Sequence, residues 1–593
     1  MKWKPLGAVL AAIGVSVATD TAVGADWPSA GADLTDSRYQ ANEKLIKANS
    51  VGSLQPKWVI TTDGDVQAHP AVDGNFLYFP DSAGFLYKVN KLTGEIIWKI
   101  KICHYTGTTS TSSGTDLDKC ATGDPFASDS ARGTPAVAGN LLILGNLIGR
   151  NIRLFGQPNP PPQPARVFAV DKNSGNLVWS TMVDETDLAF VTASPIVYNG
   201  LAYTGVASNE ELISAFVPKS NWVWQFRGSA VALDVQTGAI KWQTFMVPSR
   251  PPTYPANNNW YAGGSIWGST GAIDQTTNQI FMTTGNNVSA PESVIACLKD
   301  NQPPSTCVDP TDYFDSVVAL DLDTGKINWA ARGLPHDVYN VACGLNVPGV
   351  FAIPIIIPPI PPGTNITPGT YDNCAWGGQS GPPLIPPMPG SVDPDLDFAQ
   401  GPMLLNNGLV AAGQKSGMFW AFKRKTGELV WKTQVVPPGI TGGMQWGSAN
   451  DGKSIFVASA NSGTRLAGAG SGAMDWTLKD GTKTKAGGWA ALDADTGAVL
   501  WTTPDPTYSG LTPNGSRAEG AVSATNDVVF GCNLAPSIGR MVAMNAKTGT
   551  ILWSYDTGAP CNAGASISDG MVYWGSGTFS GTGPKKLFAF GLP

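Results

Sequence analysis

The residues able to do chemistry in this chain are few, and their spacing limits what that chemistry can be. Eight cysteines fall in order as local pairs: Cys103 with Cys120, Cys297 with Cys307, Cys343 with Cys374, and Cys532 with Cys561. An even set of this kind suits disulfides in an oxidising compartment, and proximity suggests these pairs among the many connectivities available. No Cys-x-x-Cys-His occurs, so no covalently held c-type haem is encoded. His69, His104 and His336 form no metal-ligand pattern. What remains is carboxylate, amide, guanidinium, ammonium and indole chemistry. Arg132, Thr192, Glu210 beside Glu211, Trp267, Asn286, Asp337, Lys415 and Trp446 are of such polar and aromatic types, and residue type alone does not set them apart. Each also has a plain reading. Arg132 suits a buried ion pair, Lys415 a turn, Glu210 and Glu211 a solvated loop pair, Asn286 a turn cap, and Asp337 a loop.

The elements that must position these residues come from a repeat. One unit, Ala-x-Asp-x-x-Thr-Gly-x-x-x-Trp, returns seven times. Its copies start at Lys88, Ala169, Ala232, Ala319, Ala421, Ala491 and Ala543 and end at Trp98, Trp179, Trp242, Trp329, Trp431, Trp501 and Trp553. Apolar residues before the Asp make one strand, and Asp, Thr and Gly make a turn. The alternation after Gly makes the next strand, with Trp as a large apolar anchor. A second motif, a strand, a polar turn and a strand, begins near Ala71, Ala136, Ile196, Ala272, Met403, Ser448, Ser523 and Ser566. The two counts, seven and eight, agree if Leu54–Trp58 completes a last unit that ends in Leu587-Phe-Ala-Phe. The expectation is an all-β, eight-bladed β-propeller closed by its N-terminal strand, which leaves no open sheet edge. Long insertions are expected at about 101–130, 290–314 and 335–400, the last Pro-rich. With 69 Gly, 46 Pro, 20 Trp and 14% charged residues, the composition fits short strands and many turns.

The net charge is −7 and no basic run occurs, which sets nucleic-acid binding aside. Lys2 and Lys4, the apolar stretch Leu6 to Val17 and the small residues Val23-Gly24-Ala25 read as an export signal cleaved near Ala25. A membrane anchor fits less well, because the apolar stretch is short. The later apolar run Val350 to Pro362 is broken by Pro354, Pro358 and Pro359, so no membrane span is expected.

The Trp repeat resembles the tryptophan-docking motif of the pyrroloquinoline quinone (PQQ) dependent alcohol dehydrogenases, or quinoproteins. That docking motif also occurs in non-catalytic scaffold propellers, so the site residues must decide. Arg132-Gly133, Thr192-Ala-Ser-Pro195, Gly263-Gly-Ser-Ile-Trp267, Thr284-Gly-Asn286, Gln414-Lys415-Ser-Gly417 and Gln445-Trp446 resemble family segments at the site. The resemblance implies cofactor contacts from Arg132, Thr192, Trp267, Lys415 and Trp446. It implies metal ligands from Glu210, Asn286 and Asn340, and a catalytic role for Lys415. These types suit the chemistry. A flat anionic cofactor takes an aromatic floor and cationic partners. Calcium takes oxygen ligands and acts as a Lewis acid. A Lys stabilises negative charge on the quinone oxygen, and a carboxylate takes the alcohol proton.

Three departures stand out. The family's adjacent cysteine pair is replaced by Cys103 and Cys120. Gln67 stands where the family has Glu. The family's Asp-x-Trp-Asp reads Asp337-Val-Tyr-Asn340, which removes the usual base; Asp337 is then the candidate catalytic base, with Glu210 or Glu211 as alternatives. The position of Ala342 favours calcium over a lanthanide. The overall texture, including Gly570-Met-Val-Tyr-Trp-Gly-Ser-Gly577, resembles the polyvinyl alcohol dehydrogenase branch, which implies a secondary, bulky or polymeric alcohol as substrate. A soluble cytochrome c would then take the electrons. A scaffold propeller and a glycan-binding propeller are the competing readings.

Overall fold

The computed structural model describes residues 26–107, 129–147, 164–186, 188–213, 223–255, 258–268, 270–300, 302–334, 337–340, 375–376, 395–439, 442–461, 473–509, 517–578 and 583–593. The export signal, Cys120, His336, Cys343, Cys374 and most of 335–400 lie outside the described residues.

The repeat folds as its chemistry dictates. The two strands of each copy pair antiparallel, with the first residue opposite the Trp, as in Ala169 with Trp179 and Ala232 with Trp242. A β-bulge follows that pair each time, and it strengthens the local twist. In the turns, one oxygen of Asp171, Asp234, Asp321 or Asp493 accepts the next two free backbone N–H groups. The turn Gly adopts positive φ, for example 71° at Gly238. Gly is required there for a second reason. A Cβ on Gly238 would lie 2.4 Å from the Trp179 ring, and one on Gly325 would lie 2.4 Å from Trp242. Six of the repeat tryptophans, Trp98, Trp179, Trp242, Trp329, Trp431 and Trp501, therefore seat on the turn Gly of the next sheet. In five of them the indole N–H donates to a carbonyl there, as Trp179 does to Val235 and Trp242 to Leu322. Trp553 donates to the Leu54 carbonyl.

Among the described residues, eight sheets share one antiparallel plan of four successive strands. All eight positions of the second motif carry the first strand of one of these sheets. Gln55–Thr61 pairs antiparallel with Lys586–Gly591, so both ends of the described chain share one sheet. Its Trp58 seats on Gly94 of the following sheet and donates to the Lys91 carbonyl at 3.1 Å. The segment from Trp27 to Gln40, to which sequence analysis assigns no element, runs across the first strands. Backbone hydrogen bonds link it to Val72, Val137, Ile273, Leu404, Asn450 and Ala524, and the Gln40 amide reaches the Ile567 carbonyl.

Two features stand apart from the repeat. The region at 290–314 holds the helices Glu292–Lys299 and Pro304–Cys307, stapled by the expected Cys297–Cys307 disulfide. The expected Cys532–Cys561 disulfide is also present. A small extra sheet joins Ala262–Gly263, Asn287–Ser289, Asp337–Val338 and Ala375–Trp376. Its strands abut the segments that carry Trp267, Asn286, Asp337 and Asn340, so it gathers residues far apart in the chain.

Candidate active site

The site residues sit in short segments just before the first strands of successive sheets. Arg132 precedes Ala136–Ala138, Thr192 precedes Ile196–Tyr198, Trp267 precedes Ala272–Asp274, and Trp446 precedes Ala449–Asn450. These four line one cavity together with Gln67, His69, Thr134, Ser194 and Asn562. The rings of Trp267 and Trp446 meet edge to face, 5.6 Å apart at 77°. The Arg132 guanidinium lies 4.6 Å from the centre of Trp446 and 6.0 Å from that of Trp267, in cation–π range. Burial pushes its pKa down to about 10, which still leaves it cationic at neutral pH. The Thr192 hydroxyl reaches the Trp267 carbonyl at 3.4 Å. Trp446 itself has φ of 63°, unusual for a bulky side chain and a sign of a position held by its surroundings.

Lys415 also lies over the Trp267 ring, its Nζ 4.9 Å from the ring centre. It is buried, it donates to both oxygens of Asp395 at 2.8 and 2.7 Å, and its Nζ forms an ion pair with Asp397 at 2.6 Å. The Trp267 indole N–H donates to the other oxygen of Asp397 at 2.7 Å. Gly285 makes room for this contact, since a Cβ there would stand 2.6 Å from Asp397 Oδ2. That explains the glycine of Thr284-Gly-Asn286. Burial acts against the Lys415 ammonium, but Asp395, then Asp397 and Glu211, overrule it and hold its pKa above the ordinary lysine value. Burial holds Asp395 well above the usual carboxylate range, against the pull of Lys415.

Asp337 is buried within the same cluster. Its Oδ2 accepts the N–H of Leu396, the residue between Asp395 and Asp397. Burial, and then the nearby carboxylate of Asp315, raise its pKa well above the usual value. The metal candidates hold ordered positions. Glu210 is buried and accepts backbone N–H groups from Gln225 and Phe226 at 2.9 and 3.0 Å. Asn286 donates to the Tyr339 carbonyl at 2.9 Å, and Asn340 donates to that of Val288 at 3.2 Å. These two side chains therefore stand on neighbouring backbone. Glu211 stands in the field of the Lys415 cluster: burial lifts its pKa to about 7, opposed by Lys415 and reinforced by Asp397.

Sequence reading missed Asp395 and Asp397. The signal was available: Asp-Leu-Asp stands shortly before Met403–Leu404, on the same kind of segment that carries Arg132, Thr192, Trp267 and Trp446 in their own sheets. Asn562 stands likewise before Ser566–Ser568 and also lines the cavity. Buried polar atoms here fit a polar ligand. Gln67 Nε2 and Asn562 Oδ1 are buried without a hydrogen-bond partner, a costly state that a bound polar group relieves.

The family model described as the PQQ-type glucose, ethanol and alcohol dehydrogenase β-propeller domain matches residues 27–346. The chain belongs to this family. It is thus an oxidoreductase of the PQQ-dependent alcohol dehydrogenase kind, with an all-β fold akin to the quinoprotein propellers. Polyvinylalcohol dehydrogenases from a Pseudomonas species and from a Sphingopyxis species are each 24% identical to it, over 93% of this chain and 73% and 72% of theirs. The quinohemoprotein alcohol dehydrogenase of Comamonas testosteroni superposes with a TM-score of 0.61 at 18% identity, over 96% of this chain and 80% of that one. A second family model, of outer membrane protein assembly factor BamB, matches residues 314–562 and 485–583 of this PQQ-family chain. Among its described residues, no helix is long and apolar enough to cross a membrane.

Proposed function

We propose that this protein is a periplasmic or secreted quinoprotein dehydrogenase that oxidises a secondary, bulky or polymeric alcohol to a carbonyl compound, using PQQ and calcium. A soluble cytochrome c takes the electrons. The fold is a single domain from about residue 26 to 593, with eight blades closed into a ring by Gln55–Thr61. The eight like sheets and the pairing of that strand with Lys586–Gly591 support the ring. The names of the two polyvinylalcohol dehydrogenases support the substrate class.

One observation carries the enzymatic reading. Lys415 is held by Asp395 and Asp397 over the Trp267 ring, and Arg132 lies in cation–π range of the same ring. A scaffold propeller, the role that the BamB match would suggest, has no use for a buried cluster in which carboxylates outnumber the ammonium. Arg132, Thr192 and the amides of Gln67 and Asn562 would hold the cofactor carboxylates, with Trp267 as the floor and Trp446 at its edge. Glu210, Asn286 and Asn340 would supply oxygens to calcium. The bound quinone and calcium supply the hydride acceptor and the Lewis acid. The chain itself must remove the hydroxyl proton. Asp397 suits that task better than Asp337, because it touches both Trp267 and Lys415. Asp395 then orients Lys415, whose charge stabilises oxygen-centred negative charge in the water-poor site.

The test is reconstitution of purified apoprotein with PQQ and calcium, followed by dye-linked oxidation of secondary alcohols. Dye reduction and PQQ binding that Trp267→Ala abolishes are expected. No dye reduction together with no tight PQQ binding overturns the reading.

A further inference from the structure

On the flank of the same sheets lies an open groove of about 750 Å³. Apolar faces line it at Phe245, Pro248 and Trp260, and polar groups line it at Arg227, Asp309 and Lys326. Its walls are rigid. The Trp260 indole N–H donates to the Pro248 carbonyl at 3.3 Å, and its ring rests 4.5 Å from Tyr254 and edge-on to Tyr261. Arg227 stacks 4.2 Å over Phe245 and donates two N–H groups to the Val247 carbonyl. Phe245 is 38% exposed, so part of its ring faces solvent beside Arg227.

Short stretches of chain connect the groove to segments that carry the active-site residues. Arg227 directly follows Phe226, whose N–H holds the Glu210 carboxylate, and it bridges to Gly263. Gly263 lies four residues before Trp267, a separation of at most about 14 Å of chain. On the far side, the carbonyl of the lining residue Tyr313 accepts from the Thr284 hydroxyl, two residues before Asn286.

We infer that this groove is a docking subsite for an extended, hydroxyl-bearing polymer chain, of which another stretch enters the active site. Alternating CH2 and CHOH units match such a lining: the methylenes lie against Trp260, Phe245 and the proline, and the hydroxyls meet Asp309, Lys326 and Arg227. The volume is that of a small-ligand cleft and is too small for a stable protein interface. The inference rests on the dehydrogenase reading above and narrows its substrate.

The experiment compares wild type with Trp260→Ala and with Trp260→Phe, as holoenzyme with PQQ and calcium. The substrates are polyvinyl alcohol and the short analogue 2,4-pentanediol. Trp260→Ala should raise KM for the polymer about tenfold, the worth of one aromatic contact, and Trp260→Phe should restore most of it. The kcat/KM for pentanediol should stay within twofold. An unchanged polymer KM overturns the inference, as does a parallel loss on both substrates. Affinity electrophoresis of the apoproteins in gels containing polyvinyl alcohol reads the groove without chemistry. Retardation of wild type but not of Trp260→Ala supports the groove, and equal mobility overturns it. Failure of wild type to oxidise pentanediol counts against the dehydrogenase reading instead.

Discussion

Arg38 and Lys415 are both buried cations, but they keep different company. Arg38 is 0% exposed, lies 3.3 Å from Asp36, and has its Nη1 3.2 Å from the His69 ring. Trp27 stacks on the other partner of this group, His69, and Gly447 presses on the guanidinium so closely that a Cβ would lie 2.4 Å from its Cζ. One cation meets one carboxylate inside close packing, on the segment that crosses the first strands of the sheets. Burial, and then Arg38, keep His69 neutral. Lys415 instead faces Asp395, Asp397 and Glu211, with Asp337 and Asp315 behind them. Carboxylates exceed cations there, so protons or a bound cation must make up the difference. The first arrangement suits a structural role; the second is of the kind that the proposed function needs, able to move protons and bind charge.

The sharpest way to break that comparison is to remove each cation. Lys415→Met should lower kcat by about a thousandfold or more, since it removes the group set to stabilise oxygen-centred charge. Arg38→Met should cost about 3–5 kcal/mol of stability by stranding Asp36, with near-normal kcat in the fraction that still folds. Activity assays and thermal melts on both variants read this directly. Equal effects on kcat would mean that the two clusters do not divide the work.

A smaller effect separates the carboxylates. Asp397→Asn should reduce kcat by about 10²–10⁴-fold, as expected for loss of a general base, and Asp337→Asn by less than tenfold. The reverse order would restore Asp337 as the base. The pH–rate profile of each variant distinguishes loss of the base from loss of packing.

The smallest effect is on stability against pH. Burial lifts Asp36 to about 7 against the pull of Arg38, and lifts Asp312 to about 7 against that of Arg332. A carboxyl raised in the folded state binds its proton more tightly there than in the unfolded chain. Its contribution is therefore full below about pH 4 and is lost as pH rises toward and through 7. Thermal melts should show a lower Tm at pH 8 than at pH 5.5. A Tm that rises over this range would show that these groups ionise as ordinary surface carboxylates.

Much of the scaffold is legible in the residues themselves. Asp, Thr and Gly at fixed offsets before Trp specify a turn, a bulge and an anchor, because each of those contacts lies within a few residues of chain. The turn Gly even encodes the next step, since only a residue without Cβ lets the preceding Trp seat on it. The individual site types Arg132, Thr192, Trp267 and Trp446 are equally readable, because the turn before each first strand delivers them to one cavity. The grouping of Lys415 with Asp395, Asp397 and Asp337, and of Trp267 with Asp397, is different. It links segments separated by up to 130 residues, through a small sheet outside the repeat. Electrostatic balance and desolvation act through space and not along the chain, so only the tertiary structure decided which carboxylate stands beside Lys415.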